Sequence, residues 1–326
     1  MGCNGQKNGR CSIFFMGENV ALFTYSFFYR KSQSKSESIH LLIYKNMQWR
    51  GRRQSGNVDD RRGMGGPIAI GGGLIGVIVL VINMFLGGGD MGDIMNQLPG
   101  QQTQNRSPRT GQADDERAQF VRTVLAETED VWTEYFRQRG QQYQMPTLVM
   151  FTGATQSACG SASSASGPFY CPADGDVYID LSFYDQLRTQ FGASGEGAMA
   201  YVIAHEVGHH IQNLMGITDK MQQMRGRVSQ EEYNEYSVRL ELQADFLAGV
   251  WAHYDAKRGV WQNVDTKSAL TAAAAIGDDA IQKRTQGHVV PESFTHGTSE
   301  QRMYWFNKGF QTGDISQGDT FSAREL

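Results

Sequence analysis

Ala204-His205-Glu206-Val207-Gly208-His209-His210 is the stretch on which the interpretation of this chain depends. Residues 198–214 around it are apolar nearly all round, which is typical of a buried helix. On a helix, His205 and His209 project from one face, a spacing at which two imidazoles can share one zinc ion. Glu206 lies about 100° round the same turn, where its carboxylate suits a general base better than a metal ligand. The alternative, a helix with two solvated histidines, fits poorly because unpaired polar side chains are costly on a buried helix.

Two histidines leave a catalytic zinc site one protein ligand short, with the fourth position open to water. Glu241 and Asp245 lie four residues apart on one face of a second predicted helix. We predict Glu241 as the third ligand of one Zn²⁺ per chain, and Asp245 as the acceptor for the free ring N–H of a ligating histidine. The alternative, a solvated acidic face, is disfavoured because Leu240, Leu242 and Phe246 surround the pair and buried carboxylates need partners.

The remaining predicted elements indicate a mainly helical α+β domain with a small β-sheet. Short strands are predicted at 147–151 and 177–181, and the second of them, with Tyr178, is a candidate edge for an extended peptide. Helices are predicted at 114–139, from a capping box at Ser229 to about residue 254, at 265–285, and from a capping box at Thr298 to Gly309.

The segments before residue 114 do not have the composition of a core. Residues 1–46 show no coherent element, and we predict that they are a spurious extension ahead of a native start at Met47. Residues 47–67 form a short basic head. Residues 68–86 contain no charge and, at about 19 residues, are just long enough to cross a bilayer as a transmembrane helix. A buried core helix is the alternative, but the many glycines disfavour it. Residues 87–113 are a flexible linker, and 114–326 form the folded domain.

Arginines before the apolar segment and aspartates after it predict the orientation in the membrane. By the positive-inside rule the N-terminus is cytoplasmic, and the domain lies on the outer, periplasmic side of a bacterial inner membrane. Cys159 and Cys171 are the two cysteines of that exported part, and we predict that they form a disulfide; two free buried thiols are the alternative. A net charge of -4 gives no reason to expect nucleic acid as a partner.

Four motifs together resemble the bacterial neutral zinc metallopeptidase family. They are His205-Glu-Val-Gly-His209-His210, Glu241-Leu-Gln-Ala-Asp245-Phe-Leu-Ala-Gly, Gly277-Asp-Asp-Ala-Ile281-Gln and Phe294-Thr-His296-Gly-Thr-Ser-Glu-Gln-Arg302. The head beginning at Met47 and the loop with the two cysteines are similar to that family as well. The resemblance covers residues 47–310 and implies a membrane-anchored, zincin-like peptidase, but it supplies no substrate.

The chemistry of these residues predicts hydrolysis of peptide bonds in a peptide or protein substrate. Zinc on His205, His209 and Glu241 would activate a water molecule, and Glu206 would take its proton. For the oxyanion we nominate His296, whose alternative role is that of a residue bonded to backbone just ahead of a helix. A zinc amidase acting on cell-wall peptides, or an inactive zinc domain that binds peptides or partners, are the alternative functions.

Overall fold

The structure of the protein is a computed structural model that describes residues 46–63 and 112–326. The predicted transmembrane helix at 68–86 and nearly all of the predicted linker lie outside the described residues, as does the predicted extension except for Asn46. None of the helices in the part of the chain that the structure describes combines the length and the apolar character needed to span a membrane.

Eight α-helices make up most of the described chain, in agreement with the predicted mainly helical α+β fold. They are α1 (Gln112–Arg137), α2 (Phe183–Thr189), α3 (Glu196–Leu214), α4 (Ile217–Met224), α5 (Gln230–Lys257), α6 (Asn263–Ala275), α7 (Asp278–Gln286) and α8 (Ser299–Thr312). The side chains of Ser229 and Thr298 accept hydrogen bonds from the first turns of α5 and α8, so both predicted capping residues begin their helices.

A four-stranded sheet covers one side of the helices. Its strands are β1 (Val58–Asp60), β2 (Leu148–Phe151), β5 (Phe169–Cys171) and β6 (Asp176–Asp180), in the order β1-β2-β6-β5. The first three in that order run parallel, and β5 runs antiparallel to β6. All four residues of β2 are buried because the strand has apolar side chains on both faces: Leu148 and Met150 join the main core, whereas Val149 and Phe151 join a smaller cluster with Phe169.

A hairpin of two further strands, β3 (Ala154–Ser157) and β4 (Gly160–Ser163), follows β2. Cys159 lies at its turn and forms the predicted disulfide with Cys171 at the end of β5, with an S–S distance of 2.00 Å. The disulfide thus ties the hairpin to the edge strand of the sheet.

The segment predicted as a separate basic head is built into the domain, and here the structure differs from the sequence analysis. Residues 58–60 form β1, paired with β2, and the side chains of Met47 and Trp49 are buried in the main core. Arg52 forms an ion pair with Glu127 of α1, and Arg53 pairs with Glu129 at 2.7 Å. The arginines were interpreted as charges facing the cytoplasm. In the structure, Arg52 and Arg53 instead neutralise two buried carboxylates of α1, since Glu127 and Glu129 are each 1% exposed.

Helix α3 is the centre of the helical layer, buried from Gly197 to Gln212. Gly208 allows α3 to lie close to α5, because a Cβ at this position would come within 2.9 Å of the Ala244 carbonyl oxygen. The close approach of the two backbones brings the histidines of α3 within reach of the carboxylates of α5.

The prediction of one continuous helix at 265–285 is wrong, because the structure has two helices there. The segment is broken at Ile276 and Gly277 into α6 and α7, and Gly277 adopts an extended conformation with φ −65° and ψ 145°. A Cβ on Gly277 would lie 2.4 Å from the backbone nitrogen of Ser299. The glycine therefore marks a close contact with the start of α8, and the break turns Asp278 toward the loop that precedes that helix.

Candidate metal centre

His205, His209 and Glu241 converge at one point between α3 and α5. Their ligand atoms all lie within 4.8 Å of one another, and in the described part of the chain they are the group of three such residues that could hold a metal ion. Glu241 places one carboxylate oxygen 3.2 Å from His205 Nε2 and the other 3.3 Å from His209 Nε2. Neighbouring ligands on a tetrahedral zinc ion with bonds of ~2.0–2.1 Å are roughly 3.3 Å apart, so the three donors fit zinc.

The other nitrogen of each imidazole is occupied by a hydrogen bond that fixes the ring. His205 Nδ1–H donates to Asp245 Oδ1 at 2.8 Å, and His209 Nδ1–H donates to Gln212 Oε1 at 2.8 Å. The amide of Gln212 is oriented in turn, because its NH₂ group donates to the Leu240 carbonyl at 2.7 Å. Both histidines therefore present Nε2 to the ligand position, and Asp245 is the residue that accepts from the ring of His205.

Asp245 belongs to a buried charge cluster that the sequence analysis did not assemble. Its two carboxylate oxygens accept from Arg302 Nε at 2.8 Å and Nη2 at 3.1 Å, a two-point pairing. Tyr201 donates its hydroxyl to Asp245 at 2.5 Å. Arg302 is 2% exposed and Asp245 is fully buried, so each compensates the other's charge. The cluster orients Asp245, and through it the ring of His205.

The electrostatics of the site favour a bound cation. Burial acts against the charged form of His205, but Asp245 and Glu241 outweigh it and raise the pKa of the imidazole to about 10. Burial also opposes ionisation of Glu241, yet the adjacent His209 and His205 hold the pKa of its carboxyl well below the ordinary value. Since Arg302 compensates Asp245, it is the buried Glu241 carboxylate that favours positive charge between the imidazoles. A divalent ion would supply it and displace protons.

Glu206 lies beside the ligands without joining them. It is 9% exposed, and burial raises the pKa of its carboxyl, although His205 and His209 partly offset that effect. The backbone of Tyr170, in β5, also favours the charged form of the Glu206 carboxylate and acts to lower its pKa. A carboxyl with a raised pKa at the wall of a cleft suits proton transfer near neutral pH.

The strand nearest the site is β5, which corrects the suggestion that the strand of Tyr178 offers the peptide edge. Tyr178 lies in β6, which is paired on both sides, with β2 and with β5. β5 is a terminal strand of the sheet, and its residues Phe169 and Tyr170 line the cleft that holds Glu206. A Tyr side chain in a run of strand type does not reveal which strand lies at the edge.

His296 lines the same cleft and is held by Asp278 of α7. Asp278 Oδ1 lies 3.1 Å from His296 Nδ1, and Asp278 Oδ2 accepts from the backbone N–H groups of Thr295, His296 and Gly297 at 2.7, 2.6 and 3.2 Å. Burial disfavours the imidazolium, but the charge of Asp278 outweighs it and raises the pKa of His296. The sequence analysis left two roles open for His296. Its backbone is bonded as the structural role requires, and its imidazole also lines the cleft.

Comparison with known proteins identifies the family. The family described as "Putative neutral zinc metallopeptidase" matches residues 47–321. The chain belongs to this family. It is 49% identical over 287 residues to "Uncharacterized protein YpfJ" of Escherichia coli K12, a match that covers 84% of this chain and 99% of that protein. It is 46% identical over 196 residues to "Uncharacterized protein Mb2605" of Mycobacterium bovis, which covers 56% of this chain and 65% of that protein. No solved structure matches the chain significantly.

The three predicted ligands of this zinc metallopeptidase family member face a cavity of about 110 Å³. One wall is polar, with the metal triad, Glu206, His296 and Arg302. The rest of the lining is mainly apolar and is contributed by β5, α2, the loop after α2, α3, the residue after α6, and α7; it includes Phe169, Phe183, Phe191, Val202, Ile276 and Ile281. The cavity is therefore a cleft in which polar reactive groups and an apolar recess adjoin.

Four further residues of the site were missed by sequence reasoning: Tyr201, Gln212, Asp278 and Arg302. Gln212 and Tyr201 lie on α3 at three and four residues from a ligand, a helical spacing that could have identified them. Asp278 and Arg302 belong to the quoted family motifs, but the sequence analysis assigned no role to either. Their partners are 18 and 57 residues away, so spacing within one helix could not assign them a role.

Proposed function

We propose that this protein is a zinc-dependent peptidase that hydrolyses peptide bonds, with one zinc ion held by His205, His209 and Glu241. The observation that carries the proposal is the arrangement of these donors. Two imidazole nitrogens lie 3.2 and 3.3 Å from one carboxylate, at the wall of an open cleft, with a further buried carboxylate beside them. Structural zinc sites usually close with a fourth protein ligand and need no adjacent base, so Glu206 favours catalysis over the inactive-domain alternative.

Zinc bound at this position would activate a water molecule and polarise the scissile carbonyl. Glu206 accepts the proton of the attacking water and passes it to the leaving amine, a task for which its raised pKa prepares it. Asp245 and Gln212 hold the two ligating rings in the required tautomer.

His296 is proposed to stabilise the oxyanion of the tetrahedral intermediate. Asp278 Oδ1 accepts a hydrogen bond from His296 Nδ1–H and keeps the imidazole charged, which leaves Nε2–H to donate to the developing negative charge. Asp278 acts through His296 and is a positioning residue. The dyad contributes a preorganised positive donor at the cleft.

An extended substrate is proposed to pair with the edge of β5. Main-chain hydrogen bonds to an edge strand bind a peptide independently of its sequence. Tyr170 of β5 and Glu206 line the same cleft, so a peptide paired with this strand would run past the base.

The test of the proposal compares zinc content and turnover of an unfolded protein substrate for the wild type and for Glu206→Gln. We expect the variant to retain one zinc per chain and to lose roughly 10³-fold or more in rate, because the ligands remain while the base is gone. Glu235→Gln, an exposed change on α5, is the matched control and should leave the rate unchanged. Equal rates for wild type and Glu206→Gln would remove Glu206 from the mechanism.

A parallel digestion of purified cell wall tests the amidase alternative. Release of cell-wall peptides by the wild type, with no cleavage of unfolded proteins, would replace the peptidase assignment by that of a zinc amidase. The same three ligands would serve both reactions.

We further propose that the domain works outside the cytoplasm, with residues 46–63 on the same side of the membrane as the domain, so that residues 68–86 do not make the single transmembrane crossing that the sequence analysis predicts. The disulfide between Cys159 and Cys171 supports the compartment, because disulfides persist where the environment is oxidising. The placement of residues 46–63 on the same side of the membrane as the domain is supported by the pairing of β1 with β2. It is also supported by the ion pairs of Arg52 and Arg53 with α1. A segment with these partners cannot be separated from them by a bilayer.

Labelling of single cysteines in intact cells tests this arrangement. Gly56→Cys in the head and Glu235→Cys in the domain, each in a chain that keeps the native disulfide, should both react with a membrane-impermeant maleimide. Reaction of the domain cysteine alone would support the orientation predicted from the charges, with the head in the cytoplasm and the domain outside. Reaction of neither in intact cells, but of both after lysis, would place the domain in the cytoplasm.

A further inference from the structure

The apolar half of the cleft is formed by side chains from separate parts of the chain that are held rigidly. Phe183 is 6%, Phe191 8% and Ile281 7% exposed, so each is anchored in the protein interior while part of its surface lines the cavity. The two phenylalanine rings lie 6.3 Å apart, which makes one continuous apolar surface. A recess of this kind exists before any ligand binds.

Arg284 fixes the loop that contributes Phe191. Its guanidinium lies 5.1 Å from the centre of the Phe191 ring and donates hydrogen bonds to the carbonyls of Gln190 at 3.2 Å and Ala275 at 3.3 Å. The loop after α2 is thereby joined to the end of α6, next to Ile276. The aromatic wall and the aliphatic wall of the recess are therefore held together at a fixed separation.

Apart from Glu206, the proposed base, the charged groups that line the cleft are already engaged with oppositely charged neighbours. Arg302 is paired with Asp245, and His296 with Asp278, while Glu241 faces the two imidazoles. The recess itself has apolar side chains, so a charged substrate side chain placed there would lose its hydration without gaining a partner. An apolar side chain would gain from burial instead.

The size of the cavity sets the size of its ligand. Its volume of about 110 Å³ is somewhat smaller than the ~150 Å³ apolar cavity that binds benzene in an engineered protein. The cleft as a whole therefore has room for about one branched aliphatic or aromatic side chain, and the apolar recess is the part of its lining that suits such a group. It adjoins the metal ligands, so that side chain belongs to a residue next to the bond that is cleaved.

We infer that the recess lined by Phe183, Phe191, Ile276 and Ile281 is a specificity pocket, and that the substrates are peptides with a large apolar residue, such as Leu or Phe, adjacent to the scissile bond. This inference rests on the proposed peptidase function, since it names the substrate class of that site. The pocket selects substrate side chains through the burial of apolar surface, so acidic or unbranched small side chains gain no binding energy there.

Binding of amino-acid hydroxamates to the zinc-loaded protein tests the pocket without requiring turnover. The hydroxamate group chelates zinc in every member of the series, so the differences in affinity report the side chain. By calorimetry we expect the Leu and Phe hydroxamates to bind roughly 10-fold to 100-fold more tightly than the Gly hydroxamate, from the burial of one apolar side chain. The Asp hydroxamate should bind no more tightly than the Gly compound.

Ile276→Asp provides the variant, because Ile276 is only partly buried and lines the recess. We expect it to lose the preference for Leu and to bind the Lys hydroxamate at least several-fold more tightly than the wild type does. An unchanged affinity for the Gly hydroxamate shows that the variant is folded and loaded with zinc. Val289→Asp, at a position that is 40% exposed and outside the cleft, is the matched control and should keep the wild-type preferences.

Equal affinities for the Leu, Phe and Gly compounds would overturn the pocket assignment, as would an unchanged Leu preference in Ile276→Asp. Failure of every hydroxamate to bind would overturn both the pocket and the metal site. An apolar preference in binding, without hydrolysis of any peptide, would remove the proposed function and leave the pocket in place.

Discussion

Arg302 is predicted to contribute strongly to the stability of the fold as well as to the metal centre, and its replacement by Met tests that role. The guanidinium makes two hydrogen bonds to Asp245, at 2.8 and 3.1 Å, and is 2% exposed. Met has a similar length but neither charge nor donors. In Arg302→Met the carboxylate of Asp245 remains in a fully buried position with Tyr201 and His205 as its partners.

The expected loss follows from the burial of both partners. Removing one member of a buried ion pair typically costs about 3–5 kcal/mol, because the remaining charge stays in the interior without compensation. The free energy of unfolding of a whole domain is about 5–15 kcal/mol, so Arg302→Met should fold but with a much reduced stability. Asp245→Asn removes the uncompensated charge, and the double variant should recover a substantial part of the loss.

Urea unfolding of the zinc-free wild type, both single variants and the double variant measures these energies as a double-mutant cycle. Arg137→Met, which breaks an exposed pair with Glu134, is the control and should cause little change. A loss below about 1 kcal/mol for Arg302→Met, or a double variant no more stable than Arg302→Met, would refute the reasoning that the pair acts as one compensated unit.

Three further changes have defined outcomes. Replacing Cys159 and Cys171 by Ala should lower the free energy of unfolding by about 3 kcal/mol, measured by denaturant titration, because their cross-link closes a loop. Gly249→Ala should lower the melting temperature markedly, since its Cβ would lie 2.0 Å from a backbone oxygen of α8, whereas Gly56→Ala, with open space around it, should not. Burial, followed by the charge of a neighbouring glutamate, raises the pKa of Asp255 to about 8. The folded protein therefore holds a proton there that the unfolded chain has lost, and stability should fall as pH rises from about 4 to 8 by ~1.4 kcal/mol per pH unit. Asp255→Asn should lack that part of the slope in unfolding experiments across this range.

The local part of the site was predictable because its information lies within single helices. The four-residue spacings of His205 with His209 and of Glu241 with Asp245 place each pair on one face, and the apolar neighbours indicate that both faces are buried. The structure brings all four side chains together between α3 and α5. The burial that favours a metal site over solvated side chains is thus indicated by the sequence itself.

The contacts between distant segments were not predictable in the same way. An arginine-rich segment ahead of an apolar run favours a cytoplasmic head under the positive-inside rule. Nothing in the sequence of Arg52 and Arg53 reveals that their partners are Glu127 and Glu129, on a helix more than seventy residues away. The burial of those two carboxylates is a property of the tertiary structure.

The break between α6 and α7 was missed because apolar and alanine-rich spacing continues across it. A glycine inside a helical pattern is compatible with an uninterrupted helix at a modest cost. At Gly277 the deciding factor is the backbone of Ser299, which comes too close for any side chain. That contact also places Asp278 beside His296, so the missed break and the missed partner of the candidate oxyanion donor have one cause.

Anomalous diffraction at the zinc absorption edge, from crystals of the zinc-loaded protein, tests the central claim most directly. We expect one strong peak per chain, at roughly 2.0–2.2 Å from His205 Nε2, His209 Nε2 and a carboxylate oxygen of Glu241, with a position left open toward the cleft. A peak bound by other residues, a fourth protein ligand closing the site, or no peak at these three side chains would contradict the account.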